Sequence, residues 1–302
     1  MIRVADEVRE ALAGGGAVVA LETTLVAHGF PPGEGVEVGL ESERRVRAAG
    51  AVPATIGVLD GELRIGLTER ELRRFGADAR KVGPRDLGAA VVQGAVGATT
   101  VGGTLAAARA TGIAFMATGG LGGVHRGFPD PPDVSADLAQ LARTPALVVS
   151  SGVKSLLDVA ATAELLESLG VPLLGFGVDT LPLFYAAAGG PPVSARVESA
   201  SEAARVAAAH WRLGGAGLLL GRPPAEPLDD VEPLIDEALR AAHDEGVSGQ
   251  AVTPYVLSYL HRESGGRTQA ANRALVADNA GLAGEIAAAA RSAAGGPSGP
   301  VR

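Results

Sequence analysis

The 302-residue sequence contains no cysteine, which excludes disulfide bonds and cysteine-ligated metal sites. Aromatic residues make up only 3% of the chain, which argues against the aromatic stacking platforms of single-strand nucleic-acid binders. The formal net charge is −8, whereas a nucleic-acid partner requires a basic face. We therefore expect no nucleic-acid partner, although a small anionic ligand needs only a local pocket of positive potential.

Long apolar runs are also absent. No run of 18 or more apolar residues occurs, because glycine, proline or a charge interrupts each candidate. The N-terminal segment carries Asp and Glu where a signal peptide would be apolar. The sequence therefore predicts a cytoplasmic protein without a membrane partner.

Lysine is scarce, since only Lys81 and Lys154 among the 26 basic residues are lysines. A GC-rich genome, indicated by the abundance of Arg, Ala and Gly, explains a low lysine content without any functional reason. However, arginine stays protonated, whereas a buried lysine can lose its proton and attack a carbonyl carbon. The two lysines are therefore candidates for positions where arginine cannot substitute.

Short apolar runs alternate with amphipathic stretches along most of the chain, in which 47% of the residues are hydrophobic. The runs predict strands at 17–22, 54–60, 113–119, 145–152, 171–177 and 216–221. The stretches between them predict helices at 34–50, 85–94, 101–112, 135–143, 154–169 and 199–213. This alternation predicts an α/β fold with a largely parallel sheet that is covered by helices on both faces.

A turn signal inside 59–67 predicts a β-hairpin, and the pattern becomes wholly helical from about residue 229. We predict one catalytic α/β domain over 1–292 with a helical C-terminal cap from about 229. The last residues, 293–302, have the composition of a disordered tail.

Parallel sheets bind ligands at the carboxyl ends of their strands, which directs attention to Glu22, to 118–127 and to 150–154. A carboxylate at a buried strand end is costly unless it is paired or functional, and burial raises its pKa toward the range for proton transfer. Glu22 therefore either pairs with a cation or acts as an acid/base. Lys154 is predicted at the first turn of a helix, where it is either a nucleophile or a lysine whose ammonium reaches solvent.

Other stretches admit a site or an ordinary structural role. Asp130, Asp133 and Asp137 provide oxygen ligands for Mg²⁺ or Mn²⁺, but helix capping explains part of that spacing. The glycine-rich segment 117–127 and the threonines of 97–107 suit either anion binding or turns and caps. Lys81 lies in a basic cluster that suits a phosphate or a solvated turn.

Together these stretches resemble the pseudouridine-5'-phosphate glycosidase family, also called pseudouridylate synthase. The resemblance rests on ten blocks in family order from about residue 4 to 290: ALETTLVAHGFP, GAVPATIGVLDG, RKVGPRDL, GATTVGGTLAAA, ATGGLGGVHRG, DVSADLAQLART, SGVKSLLD, GVPLLGFGVDTLP, VTPYVL and ANRALVADNA. It implies reversible cleavage of the C–C glycosidic bond of pseudouridine 5'-phosphate to uracil and ribose 5-phosphate. It also implies a three-layer α/β/α homotrimer with a divalent cation, typically Mn²⁺.

The resemblance also implies roles for individual residues. The family's nucleophilic lysine falls on Lys154, its acid/base glutamate on Glu22 and its metal-binding aspartate on Asp133. The implied substrate contacts fall on Lys81, Val101, Ser135, Ala136, Asp137 and Asn272. The chain lacks the serine that usually follows Val82 in the family, which removes one hydroxyl near Lys81.

Two other functions compete with this prediction. A lysine-dependent aldolase or lyase acting on another sugar phosphate would form the same lysine adduct but would release no uracil. A non-catalytic nucleotide-phosphate sensor would bind its ligand without turnover and would tolerate Glu22→Gln.

Overall fold

The computed structural model of the chain describes residues 1–31, 33–130, 132–228, 230–247 and 249–294. Its strands are β1 (Ile2–Val4), β2 (Val18–Glu22), β3 (Val52–Leu59), β4 (Glu62–Ile65), β5 (Arg80–Val82), β6 (Gly97–Thr99), β7 (Phe115–Ala117), β8 (Val124–His125), β9 (Leu147–Ser150), β10 (Leu157–Asp158), β11 (Leu173–Phe176), β12 (Ala195–Val197) and β13 (Leu218–Gly221). Its α-helices are α1 (Asp6–Ala13), α2 (Thr24–His28), α3 (Glu34–Ala48), α4 (Glu69–Leu72), α5 (Leu87–Val92), α6 (Val101–Thr111), α7 (Ala136–Leu141), α8 (Val159–Ser168), α9 (Ala200–Arg212), α10 (Glu232–Asp244), α11 (Val252–Glu263) and α12 (Arg267–Ala294). Short 3-10 helices at Pro84–Asp86 and Gly249–Ala251 precede α5 and α11.

The main sheet has the strand order β1-β4-β3-β2-β7-β9-β13-β11-β12, and β6 and β5 extend from β3. Its pairs are parallel except for β3 with β4 and β3 with β6, which are antiparallel. A separate antiparallel pair joins β8 to β10. The prediction of a largely parallel sheet is therefore confirmed.

Alternate residues of the central strands enter two different cores. In β2, Val18 and Ala20 pack in a core with residues of α6, α7 and α8. Val19 and Leu21 of the same strand pack on the other side with residues of α3, α9 and α12. Because side chains alternate across a strand, both faces are apolar and both are covered by helices. This arrangement confirms the three-layer α/β/α fold.

Each predicted strand is present, and the predicted hairpin forms from β3 and β4. The prediction that a helix begins at Lys154 is wrong, because α8 begins at Val159. Leu157 and Asp158 instead pair with β8, and the Asp158 carboxylate then accepts a hydrogen bond from the Ala161 amide at 2.9 Å. The first apolar residues of this segment therefore belong to a loop and a short strand.

The C-terminal helices have two different environments. Helix α12 packs on β2, β7 and β9 and lies between α3 and α9 as part of one helical layer. Helices α10 and α11 pack on each other, and Thr253 of α11 reaches the cavity described below. None of the helices in the described ranges combines the length and the apolar character needed to cross a membrane. The predicted disordered tail lies, for residues 295–302, outside the described residues.

Candidate active site

The candidate active site is a cavity of about 360 Å³ beyond the carboxyl ends of the central strands. Strand β2 pairs with β3 on one side and with β7 on the other. After β2 the chain first adds β3 and β4 on one side, and it later adds β7, β9 and the remaining parallel strands on the other side. This position is a topological switch point, where parallel sheets leave a crevice for ligands. A smaller apolar recess adjoins the cavity and shares Glu22, Lys81 and Lys154 with it.

Glu22 is the last residue of β2, and only 9% of its surface is exposed. The hydroxyl of Thr118, the residue after β7, donates a hydrogen bond to its carboxylate. Burial raises the pKa of Glu22, and the Lys154 charge and the Thr118 hydrogen bond oppose this increase. The structure therefore excludes an exposed ion pair for Glu22 and leaves a buried carboxyl group suited to proton transfer.

Lys154 lies in the loop after β9, and the predicted proximity to a helix N-terminus is wrong. Its backbone N–H donates to the Leu121 carbonyl at 3.1 Å, and its own carbonyl accepts from the Leu157 N–H at 3.0 Å. These bonds fix the backbone, while the half-buried side chain lines the cavity. A Cβ on Gly120 would lie 3.3 Å from Lys154 Cγ and 2.7 Å from Phe184 Cδ2, so this glycine allows the close packing around the lysine stem.

Lys81, in β5, reaches the same cavity from the other side of Glu22. Burial lowers the pKa of Lys81, and the positive charge of Lys154 lowers it further. Neither ammonium group has a carboxylate within 4.0 Å in the described part of the chain, although other basic residues form close ion pairs there. Two half-buried cations that have no close carboxylate among the described residues make the cavity suited to an anion.

The predicted substrate contacts lie around these lysines. Val101 begins α6, Ala136 begins α7 and Ser135 caps α7, and all three residues line the cavity. Asn272 of α12 lines the apolar recess together with Phe184. Residues from distant parts of the chain thus meet at one edge of the sheet.

Asp137 also lines the cavity, but its carboxylate is already bound within the protein. Its Oδ1 accepts the Gly102 amide at 2.7 Å, and its Oδ2 accepts the Gly122 amide at 3.1 Å. These are amides of the two segments in which the sequence suggested anion binding. Asp137 therefore joins the first turn of α6 to the loop between β7 and β8 and takes the place of an external anion at both amides.

The predicted oxygen ligands divide into three different environments. Asp130 is exposed and lies outside the cavity lining, and Asp137 is bound as described above. Only the Asp133 carboxylate faces the cavity without such bonds, and its Oδ2 lies 3.8 Å from Nδ1 of His125. No group of three or more His, Asp or Glu residues among those described could hold a metal ion. A protein-derived cage formed by the three aspartates is therefore excluded for the described residues.

His28 and Arg126 have structural contacts. Nε2 of His28 lies 3.0 Å from the Ala79 carbonyl oxygen, and burial lowers the pKa of His28. Arg126 forms ion pairs with Glu232 and Asp236 of α10 and lies outside the cavity lining. The Arg126 guanidinium is therefore bound by α10 and not directed to the cavity.

Sequence reasoning directed attention to 118–127 but gave Thr118 no role of its own, and it did not identify Thr24 or Thr253 as site residues. Thr118 was detectable in principle, because it directly follows a strand that neighbours β2 in a parallel sheet. Thr24 lies within α2, and its hydroxyl donates to the Ala98 carbonyl at 3.1 Å. Thr253 comes from α11, whose position over the cavity has no local sequence signal.

Comparison with known proteins extends over nearly the whole chain. The family described as indigoidine synthase A like protein matches residues 7–289. Pseudouridine-5'-phosphate glycosidase of Herpetosiphon aurantiacus is 46% identical over 294 residues, covering 95% of this chain and 97% of the relative. The enzyme of the same name from Streptomyces griseus is 48% identical over 295 residues, covering 95% of this chain and 91% of the relative.

Two solved structures share the fold. The prealnumycin C-glycosynthase in complex with ribulose 5-phosphate has a TM-score of 0.88 and 42% identity, covering 97% of this chain and 98% of that chain. An indigoidine synthase A like protein from Thermotoga maritima has a TM-score of 0.85 and 36% identity, covering 96% and 97%. These matches confirm the resemblance found in the sequence, and the chain belongs to the indigoidine synthase A like family together with the pseudouridine-5'-phosphate glycosidases.

Proposed function

We propose that this protein reversibly cleaves the C–C glycosidic bond of pseudouridine 5'-phosphate with water and gives uracil and ribose 5-phosphate. The names of its relatives support this reaction. The observation that carries the proposal is that one cavity holds a buried glutamate beside two lysines with no carboxylate within 4.0 Å among the described residues. A phosphate supplies the anion for which the cavity is suited, and an amine supplies the nucleophile.

We assign a separate contact to each part of this substrate. In this proposal Lys81, which lines the cavity, binds the phosphate as a point charge. Ser135 and the start of α6 at Val101 provide polar groups for the ribose. The apolar recess, with Asn272 on its wall, provides apolar surface and one amide for a planar base such as uracil.

The chemistry requires an amine because the leaving atom is a carbon. Protonation of a nitrogen, which releases the base of an ordinary nucleoside, is not available for a C–C bond. We propose that Nζ of Lys154 bonds to C1' of the ribose while the bond from C1' to the ring oxygen breaks and that oxygen takes a proton. The nitrogen lone pair then expels uracil as its C5 takes a proton, which leaves an iminium ion between C1' and Lys154.

Water completes the reaction by adding to C1' of the iminium ion, which releases ribose 5-phosphate and restores the lysine amine. Glu22 is proposed to deliver and recover the protons of these steps. Its raised pKa supports this role, because a group that titrates nearer to neutral pH can both donate and accept a proton.

A divalent cation fits the donors of this cavity in one way. Asp133 offers a single carboxylate at the cavity wall, and Mg²⁺ or Mn²⁺ is commonly held by one or two carboxylates with water and substrate oxygens. We propose that Asp133 holds Mn²⁺, which when bound supplies positive charge near the substrate. Calorimetric titration with Mn²⁺ should give binding to the wild type and a loss of binding in Asp133→Asn, and equal binding by both proteins would contradict this assignment.

We also propose a homotrimer, which rests on the family resemblance. Light scattering of the purified protein measures its molar mass directly. A mass close to three times the 30.1 kDa of one chain is expected, and a monomer mass would remove this part of the proposal.

The decisive experiment is incubation of the protein with pseudouridine 5'-phosphate and Mn²⁺, followed by chromatographic detection of uracil. Borohydride reduction in the presence of ribose 5-phosphate should also attach the sugar to Lys154, which peptide mass spectrometry locates. An adduct without uracil release would favour the aldolase or lyase. Substrate binding without turnover would favour the sensor.

A further inference from the structure

Asn279 is a completely buried polar residue to which the proposed reaction gives no role. Asn279 and Asn272 are the only asparagines of the chain, and both lie on α12. Their spacing of seven residues places them on the same face, about 10 Å apart along the helix axis. Asn272 lines the recess, whereas Asn279 lies behind the cavity wall.

The Asn279 amide joins the ends of two central strands. Its Nδ2 donates to the backbone carbonyl of Thr118 at 2.9 Å and to the hydroxyl oxygen of Ser151 at 3.1 Å. Thr118 follows β7 and Ser151 follows β9, and the Ser151 N–H donates to the Gly119 carbonyl at 2.9 Å. One side chain therefore connects α12 to both strand ends at the edge where the site lies.

The residues next to Thr118 in the chain do little to fix its backbone conformation. Strand β7 ends at Ala117, and Gly119 and Gly120, which follow Thr118, restrict the backbone less than other residues do. The Thr118 N–H donates to the Val149 carbonyl at 3.0 Å, and Asn279 binds its carbonyl on the other side. These two bonds hold the Thr118 peptide groups on both sides, and the hydroxyl of the same residue donates to Glu22.

The carbonyl oxygen of the Asn279 side chain gives a reason why this residue does more than fill space. Its Oδ1 is buried and has no hydrogen-bond partner among the described residues. An unpaired buried acceptor destabilises the folded protein, and an apolar side chain of similar volume would avoid this cost. The donor group of the amide is therefore the part of Asn279 that an apolar side chain could not supply.

We propose that Asn279 is a positioning residue, which holds the Thr118 peptide so that the Thr118 hydroxyl bonds and orients the Glu22 carboxylate during proton transfer. This inference rests on the proposed function for the role of Glu22. It assigns Asn279 no contact with the substrate. Its effect on catalysis passes through Thr118 alone.

The test compares Asn279→Leu, Thr118→Val and the double variant with the wild type. The pH profile of kcat/KM is measured with pseudouridine 5'-phosphate, and the titration of Glu22 is measured by carbon NMR of ¹³C-labelled glutamate without ligand, with Glu22→Gln to assign the signal. Loss of the hydroxyl donor raises the pKa of Glu22, since the Thr118 bond lowers it. Thr118→Val should therefore move the Glu22 titration to higher pH, and Asn279→Leu should move it in the same direction with a decrease in kcat of about 10- to 100-fold.

The double variant gives the sharpest result. If Asn279 acts through Thr118, Asn279→Leu should cause no further change in a Thr118→Val background. Ser151→Ala, which removes the other acceptor of the amide, should leave the Glu22 titration unchanged. A lower melting temperature with an unchanged titration, or additive effects in the double variant, would overturn the proposal.

Two further outcomes separate this inference from the proposed function. If the wild type releases no uracil but Asn279→Leu still moves the Glu22 titration, the reaction is wrong and the positioning role stands. If the wild type is active but neither the titration nor the pH profile moves, the positioning role is wrong. Should Asn279→Leu fail to fold, Asn279→Ala removes the same donor with a smaller side chain and carries the same comparison.

Discussion

The hairpin of β3 and β4 and the cavity at the end of β2 both contain clustered charges, but these charges are partnered differently. At the hairpin turn, the Asp60 carboxylate accepts hydrogen bonds from Arg64 at 3.0 Å and from both terminal nitrogens of Arg74 at 2.8 and 2.7 Å. Arg64 also pairs with Glu71 of α4. Each of these charges has an opposite charge as its partner within the protein.

The cavity shows the opposite arrangement. Lys81 and Lys154 have no carboxylate within 4.0 Å among the described residues, although Glu22 and Asp137 line the same space. Asp137 instead binds two backbone amides, and Glu22 binds a hydroxyl. Ion pairs within a surface cluster contribute little to stability and have no charge left for a ligand. Half-buried cations without close partners, in contrast, indicate a ligand site.

The largest expected effect is that of Lys154→Arg. Arginine keeps the positive charge but cannot become a nucleophile, so kcat/KM should decrease by about 10⁴-fold or more while the protein stays folded. The measurement is uracil release together with borohydride trapping. Lys81→Arg is the matched control, because it makes the same exchange at the proposed phosphate contact and should retain much more activity. A Lys154→Arg protein that still turns over would exclude the lysine adduct.

Glu22→Gln should decrease kcat by about 10² to 10⁴-fold, because glutamine cannot transfer a proton. The same substitution should also change the pH dependence of stability. Burial raises the pKa of Glu22 in the folded protein above its ordinary value of 4.5, so the folded state holds this proton more tightly than the unfolded state does. The resulting stabilisation of the folded protein is complete below pH 4.5 and is lost as the pH rises through the higher pKa of the folded state. Glu22→Gln should therefore be more stable than the wild type at about pH 7, and this difference should disappear at about pH 4. Denaturant titrations at both pH values measure it, and a gain that persists in acid would contradict the assigned cause.

Lys81→Met should mainly weaken substrate binding. Loss of a charged hydrogen bond to phosphate predicts a KM increased by about 10- to 100-fold with a smaller change in kcat. Arg80→Met is the control, because Arg80 is the exposed neighbour and its side chain bonds to Gln93 at 2.7 Å. Steady-state kinetics on both variants provides the comparison, and equal KM values for the two variants would remove Lys81 from the substrate contacts.

The smallest expected effect is that of Asp60→Asn in the hairpin. Asp60 has a φ of 53°, which asparagine also adopts readily, so the substitution removes the ion pairs and leaves the turn intact. We expect an unchanged kcat/KM and a change in melting temperature of a few degrees at most. A large loss of activity would show that the hairpin and the cavity are coupled, contrary to the comparison drawn above.

The sequence predicted the elements that carry the site better than the contacts within it. Glu22 ends an apolar run, and the rule that ligands bind at the carboxyl ends of parallel strands placed it near Lys154. The same reasoning predicted a helix at Lys154, because the apolar pattern that begins at Leu156 continues into α8. Pairing of Leu157 with β8 overrides that local pattern, and such pairing depends on a strand more than 30 residues earlier.

The contacts of Asp130, Asp133 and Asp137 could not be predicted from their spacing in the sequence. Their spacing suits a metal site, and helix capping explains part of it, but neither interpretation describes Asp137, whose partners are Gly102 and Gly122. Asn272 and Asn279 are similarly alike in sequence, yet one lines the recess and the other binds Thr118. The sequence indicated which kinds of side chain could bind a ligand, but it did not indicate which of them already have hydrogen-bond partners within the protein.

The sequence by itself determined the alternating strands and helices, and thereby the sheet edge at which the chemistry-bearing residues meet. These features follow from the period of apolar residues, which is a local property of the chain. Only the tertiary structure decided which charges and amides are satisfied internally and which are left for a ligand. That outcome depends on distances between residues far apart in the chain, such as Asp137 with Gly102 or Asn279 with Thr118, and no local pattern records them.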